Sequence, residues 1–386
     1  MKLFDTAQKQ YIDFKPNPVV QIYVCGITPY DSAHLGHIFT FMTYDLLQRR
    51  LQDLGHEVRM VRNITDVDEP IYVKAKELGL DYRQLAASET KAFQATLEEL
   101  RFKKPYAEPL ASDYILQMSE AVEALLANGY AYRLDDDVYF DTSKFQAYNK
   151  FSGFSERLIM GLSLARGGDP GRVGKRQPLD FLLWKGITDK SDPAQWQTSL
   201  GAGRPGWHIE CSVMSRELLD VPFDIHGGGT DLIFPHHSSE IAQSDGLGAP
   251  LMARHWLHVS PLLYDGEKMS KSLGNLVFAH DLLGSHEPAV IRLALMHYHH
   301  RVGGEWLPEL LAEATKLLDR LRHCAGHADA AAGKQLLSTV RTALDDDLNA
   351  PEVIDALHDF IGCKHSADTG AEPFVMQTMQ LLGLAD

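Results

Sequence analysis

The order strand, helix, strand over residues 19–65 constrains this chain most. "VVQIYVCGI" (19–27) is a run of β-branched and apolar residues, the composition of a strand buried on both faces. "HLGHIFTFMTYDLLQRRLQDLGH" follows with apolar residues at helical spacing and a stop near Gly55. "EVRMVRNIT" (57–65) alternates and reads as the next strand. Two strands joined through a helix lie parallel, because only a crossover brings the chain back in the same direction. The expected core is therefore α/β with a parallel sheet.

The pattern then changes. "TDVDEPIYVKAKELGL" starts another helix at an Asp-rich turn, and residues 84–130 are helical in pattern. "LDDDVYFDTSKF" reads as a short hairpin, and "ARGGDPGRVGKRQP" as a Gly/Pro/Arg loop. "PFDIHGGGTDLIF" (222–234) returns to strand, glycine loop and helix, and from about residue 285 nearly every segment is helical. This divides the chain into 1–103, the first half of a nucleotide-binding domain; 104–204, an insertion; 205–284, the second half; and 285–386, a helical bundle.

Composition removes several classes. With 45% hydrophobic and 23% charged residues the chain is ordinary for a globular protein. It contains no run of 18 apolar residues, so no spanning helix is expected, and "MKLFDTAQKQ" lacks the basic-then-apolar order of a signal peptide. The expectation is a cytoplasmic protein without a membrane partner, a monomer by default. Cys25, Cys211, Cys324 and Cys363 are few and widely spaced, unlike a disulfide framework. A formal net charge of −15 disfavours a long polyanion as ligand but not a small one such as ATP, which needs only a local positive site.

Two stretches carry chemistry. "HLGH" sets His34 and His37 at a helix start, where unpaired N–H groups and the positive dipole end favour phosphate. Taken singly it reads equally as two donors to phosphate oxygens or as two polar residues of a first turn. "YDGEKMSKSLGN" (264–275) puts Lys268 and Lys271 in a loop bounded by Gly266 and Gly274, which could close over a triphosphate. A lone lysine run is usually a solvated surface; together with "HLGH", in this order, it gains weight.

These two stretches resemble the paired signatures of class I aminoacyl-tRNA synthetases, whose Rossmann-like domain is split by an insertion. "YVCGITPYDSAHLGH", "NITDVDE", "GRPGWHIECS", "FDIHGGGTDLIFPHHSSEIAQ" and "EKMSKSLGN" resemble, in order, the cysteine-specific branch. That branch holds the cysteinyl-tRNA synthetases and the cysteine ligases of mycothiol biosynthesis (MshC). The resemblance implies a class I catalytic domain followed by a helical bundle, with cysteine activated by ATP and Mg²⁺ as cysteinyl-AMP.

It also implies roles for residues. Cys25, Cys211 and His236 match zinc ligands, leaving one position open to the substrate thiol. Glu240 matches a further zinc ligand of the tRNA-charging members. His34, His37, Lys268 and Lys271 match the catalytic residues that handle phosphate. Cys25, Gly26, Ile27, Thr28, Thr40, Asn63, Ile64, Thr65, Trp207, Gly229, Thr230, Asp231 and Leu262 match contacts to the cysteinyl adenylate, with Trp207 near the cysteine side chain and Asp231 on the ribose. Cys324 and Cys363 are expected to be buried free thiols.

"CGITPYD" and "ARGGDPGRVGKRQPLDFLLW", with Ala165 where the relatives have Glu, resemble the small-molecule ligases, and no anticodon-reading module is recognisable after "DDDLNAPEVIDALHDF". The expected acceptor is therefore the amine of an amino sugar such as glucosaminyl-inositol. Arg166, Arg172, Lys175 and Arg176 could wall such a pocket or meet an RNA acceptor stem. The alternative is a shortened cysteinyl-tRNA synthetase. A non-catalytic zinc and cysteine sensor fits less well, since both phosphate-handling stretches are intact.

Overall fold

The computed structural model describes residues 1–30, 32–189, 191–269, 273–363 and 369–386. A hairpin of β1 (Lys2–Asp5) and β2 (Gln10–Asp13) leads into β3 (Val19–Ile27), α1 (Leu35–Asp53) and β4 (Glu57–Ile64). Side chains of β3 alternate between two cores. Val20, Ile22 and Val24 enter one, and Tyr23 and Cys25 enter the other, so the strand is buried on both faces. α1 stops where Gly55 takes a φ of +93°, a conformation glycine adopts without cost.

α2 (Glu69–Leu78) and α3 (Tyr82–Glu99) are capped by Asp68 and Asp81. The helical pattern expected over 84–130 is interrupted after α3. Residues 103–110 run along the edge of β4: Tyr106 N–H donates to the Met60 carbonyl at 2.7 Å and Ile64 N–H to the Pro109 carbonyl at 2.9 Å. Pro105 and Pro109 account for this, because each removes a helical donor and pushes the preceding residue towards extended backbone.

α4 (Ile115–Ala127) is followed by β5 (Ala131–Leu134), β6 (Asp137–Phe140), α5 (Glu156–Ala165), β7 (Phe181–Gly186), β8 (Trp196–Thr198) and β9 (Gly201–Pro205), all within the stretch 104–204 expected as an insertion except the last residue of β9. The five strands pair antiparallel in the order β5-β6-β7-β9-β8. The chain returns through α6 (Trp207–Leu218), β10 (Phe223–Gly229), a turn at Ile233–His237, α7 (Ser238–Gly246), β11 (Ala253–Val259), β12 (Leu262–Tyr264) and β13 (Glu267–Lys268).

Among the described residues the central sheet is parallel, in the order β11-β10-β3-β4. The chain winds outward from β3 to β4 on one side and from β10 to β11 on the other. The order thus reverses between β3 and β10, where open α/β sheets form a crevice beyond the carboxyl ends of their strands. The glycines 227–229, expected as a loop, are the last residues of β10. The reason is close approach: a Cβ on Gly227 would lie 2.3 Å from the Tyr44 hydroxyl oxygen. That hydroxyl accepts from Gly228 N–H at 2.6 Å and donates to the Leu257 carbonyl at 2.7 Å.

α8 (Ala279–Leu283), α9 (Pro288–Leu295), the short β14 (Gly304–Glu305), α10 (Glu309–Ala325), α11 (Ala330–Asp345), α12 (Ala350–Gly362) and α13 (Glu372–Leu381) complete the chain. Their apolar faces share one core with α1 and one face of the parallel sheet. An ionic pin crosses that core. Fully buried Arg292 donates to Asp45 at 2.5 Å and to the Leu382 carbonyl at 3.0 Å, and Arg49 donates to the same carboxylate at 2.8 Å. Among the described residues no helix is long and apolar enough to cross a membrane.

Candidate active site

The crevice at the β3/β10 reversal holds a cavity of about 460 Å³. Its walls include Cys25, Gly26, Ile27 and Thr28 from the end of β3, and His34, His37 and Thr40 from the start of α1. Gly229, Thr230 and Asp231 follow β10, and Leu262 and Lys268 close the far side. Gly26 cannot carry a side chain, since a Cβ there would stand 1.6 Å from the Asn63 carbonyl oxygen. Asn63 and Thr65 do not line the cavity; they sit behind it. Asn63 Oδ1 accepts from Gly26 N–H at 2.9 Å, and its Nδ2 donates to Thr65 Oγ1 at 3.0 Å. Ile64 is fully buried and likewise off the wall.

The two histidines of the α1 start differ in role. His34 is the N-cap: its Nδ1 accepts from Gly36 N–H at 3.1 Å, which holds the first turn. His37 lies against it, ring centroids 3.9 Å apart, with one edge on the cavity. Burial pushes the His37 imidazole down to about 4, against a smaller upward pull from Asp231. It is thus neutral near pH 7 and offers a donor without a charge. Thr40 Oγ1 donates to the Gly36 carbonyl at 3.0 Å. Thr28 Oγ1 donates at 3.5 Å to Asp68, whose carboxyl is raised to about 6 by burial.

Charge on the opposite wall centres on Asp231. Its Oδ2 accepts from Arg166 at 2.7 Å and from Lys268 at 2.9 Å. Burial alone would raise this carboxyl, but Lys268 and then Arg166 outweigh it and hold the group near 2. Lys271 lies outside the described residues.

Behind Cys25, on the same face of the sheet, α6 brings Cys211, the turn before α7 brings His236 and the first turn of α7 brings Glu240. The four polar atoms lie within 4.8 Å of one another, all buried. Cys25 Sγ and Cys211 Sγ are 3.8 Å apart, and His236 Nε2 is 3.2 Å from Glu240 Oε1. Two thiolates each ~2.3 Å from a tetrahedral zinc would stand about 3.8 Å apart, so the pair suits that ion. The donor chemistry agrees: burial keeps His236 neutral, the state in which imidazole ligates, and two thiols beside a buried carboxylate are a site for a cation.

A ring of histidines around this cluster was not singled out in the sequence. His208 Nδ1 meets His236 Nδ1 at 2.9 Å. His226 Nε2 meets Glu240 Oε2 at 2.9 Å, leaving Oε1 to face the sulfurs. His237 Nε2 stands 3.3 Å from Cys25 Sγ, and its Nδ1 meets His258 Nε2 at 2.7 Å. Cys25, His226, His237 and Glu240 form an overlapping set of similar span. The set with both cysteines carries two sulfurs, and its members are oriented from behind by His208 and His226, the arrangement metal ligands need. The signal in the sequence was density: "WHIECS", "FDIHGG", "PHHSSE" and "HWLHV" put five further histidines, besides His236, within reach of one sheet face or its edge. Trp207 is not on the cavity wall; its ring packs 4.5 Å from the His236 ring. Cys324 is buried as expected, whereas Cys363 is exposed, because it sits at the C-terminal cap of α12, where the helix leaves the core.

The family described as tRNA synthetases class I (C) catalytic domain matches residues 12–316. The chain belongs to this family. A ligase of Thermobispora bispora named L-cysteine:1D-myo-inositol 2-amino-2-deoxy-alpha-D-glucopyranoside ligase is 40% identical, over 100% of this chain and 95% of its own. The ligase of the same name from Gordonia bronchialis is 43% identical, over 92% and 87%. Among solved structures, Mycobacterium tuberculosis methionyl-tRNA synthetase with methionyl-adenylate superposes at a TM-score of 0.65 with 16% identity, covering 95% of this chain and 88% of its own. The LeuRS of Agrobacterium radiobacter K84 in a ternary complex with tRNA superposes at 0.66 with 11% identity, over 97% and 85%. The fold is that of class I synthetase catalytic domains, with the helical bundle attached.

Proposed function

We propose that this chain is an ATP-dependent ligase that activates L-cysteine as cysteinyl-AMP and passes it to the amine of a small amino-sugar acceptor. One observation carries the reading. A buried cluster of two cysteines, a histidine and a glutamate adjoins the cavity whose wall carries His37 and Lys268, and Cys25 belongs to both. In the first step a carboxylate oxygen of cysteine attacks the α-phosphorus of ATP and pyrophosphate leaves. In the second the acceptor nitrogen attacks the cysteinyl carbonyl, loses a proton and releases AMP.

Cys25, Cys211, His236 and Glu240 would hold zinc, which supplies a Lewis acid that binds the substrate thiol as thiolate. Trp207 would fix His236 and fill space beside the cysteine side chain. Thiol recognition of this kind rejects serine and alanine more strongly than a size filter, which yields only ~10–200-fold per methylene. His37 donates to phosphate as a neutral imidazole, and Lys268 supplies charge to the leaving pyrophosphate. Asp231, held ionised, accepts from a ribose hydroxyl, and Gly229 and Thr230 border the adenine. Gly26 and Thr28 bring backbone and hydroxyl groups to the linkage between amino acid and nucleotide.

A second reading, charging of tRNA, has Glu240 in its favour, since its carboxylate points at the sulfurs as in the tRNA-charging branch. Against it, most of the loop cations that could meet RNA are spent within the inserted region. Arg172 bonds Asp135, Asp137 and Tyr139, Arg176 bonds Asp141, and Lys175 bonds the carbonyls of Asp169 and Pro178. The test is product analysis: protein, ATP and cysteine are incubated with glucosaminyl-inositol or with tRNA, and products are weighed by mass spectrometry. Cysteinylated amino sugar supports the first reading. Cysteinyl-tRNA with no amide to the sugar overturns it.

A further inference from the structure

The Gly/Arg loop of the inserted region sends one cation to the cavity. Arg172, Lys175 and Arg176 are engaged on their own region, but Arg166 lines the cavity. Its placement follows from the helix end. Arg166 is the C-terminal cap of α5, with its N–H on the Leu162 and Ser163 carbonyls, and Gly167 then turns the chain at a φ of +81°. α5 itself packs on the Ile233–His237 turn that carries His236.

The guanidinium therefore has one neighbour on each half of the site. Nη2 donates to Asp231 on the nucleotide side, at 2.7 Å. Its carbon lies 5.9 Å from the Trp207 ring centre on the cysteine side, and that ring lies on His236. Between those halves must lie the bond that joins the amino acid carboxyl to the α-phosphate, a group with a negative charge. Among the described residues Asp231 is the only hydrogen-bond partner of the Arg166 guanidinium, so the rest of its planar fork is available to a phosphate.

We propose that Arg166 touches the substrate: it donates to the α-phosphoryl group of the adenylate, and a ribose hydroxyl competes with it for Asp231. This rests on the reading of Asp231 as the ribose acceptor. The inserted region then contributes directly to chemistry at the parallel sheet, and ordering of the Arg166 loop becomes linked to nucleotide binding.

The test compares adenosine with AMP, measured by calorimetry on the wild type, Arg166→Gln and Arg166→Lys. A charge-assisted contact to phosphate predicts that Arg166→Gln weakens AMP roughly 10–100-fold. Adenosine should bind that variant as well as or better than the wild type, because the competitor for Asp231 is gone. Arg166→Lys should recover part of the AMP affinity. Equal loss of adenosine and AMP would mean that Arg166 only staples the loop, and unchanged AMP binding would mean no phosphate contact; either overturns the proposal. If the wild type bound neither compound, the nucleotide reading of the whole cavity would fall first.

Discussion

Replacing His37 by Gln gives a prediction with a calculable size. The ring is forced towards neutrality because burial lowers its pKa to about 4, against about 6.5 in an unfolded chain. A histidine with a lowered folded pKa binds fewer protons when folded than when unfolded. Its contribution is intact above about pH 6.5 and is lost as pH falls towards about 4. At pH 5 the loss amounts to about 2 kcal/mol, as an upper bound because one edge of the ring faces cavity water. Urea denaturation of the wild type and His37→Gln between pH 7.5 and 5 measures it. His208, His226 and His258, all pushed down to about 3 by burial, are common to both proteins, so the difference isolates His37. The variant should lose about 1–2 kcal/mol less than the wild type between pH 7 and pH 5. Parallel pH curves would refute a neutral, buried His37 and with it the uncharged phosphate donor.

Three further outcomes follow from named contacts. Elemental analysis should find about one zinc per chain, lost in Cys211→Ser, while His226→Gln, which frees Glu240 Oε2, should weaken the metal about 10–100-fold. Lys268→Ala should lower the rate of ATP–pyrophosphate exchange by roughly 10²–10³ with cysteine KM little changed, since the charge it meets develops in the transition state. Asp45→Ala strips Arg292 of its carboxylate in a dry core and should cost about 3–5 kcal/mol in thermal denaturation, most of it restored by also replacing Arg292 with Met.

Much of this architecture was legible because it rests on local periodicity. β3 alternates between two cores and α1 carries its apolar stripe, so the parallel unit follows from the sequence. What was misread depended on partners far along the chain. The glycines 227–229 look like a loop until Tyr44, nearly two hundred residues earlier, is seen to fill the space a side chain would need. The stretch 103–110 reads as helix until its two prolines meet the free edge of β4. The site shows the same division. Cys25, Cys211 and His236 stood out as residue types in matched stretches. The orienting roles of His208 and His226 arise only when α6, β10 and α7 come together. Lys268 was legible as a cation, but its sharing of Asp231 with Arg166 required the end of α5 to reach the cavity.

The central claim, that this cavity activates cysteine through its thiol without help from RNA, is tested most directly by ATP–pyrophosphate exchange with purified protein in the absence of tRNA. Exchange should be supported by cysteine and not by serine or alanine. Equal exchange with serine, or exchange that appears only when tRNA is added, would contradict it.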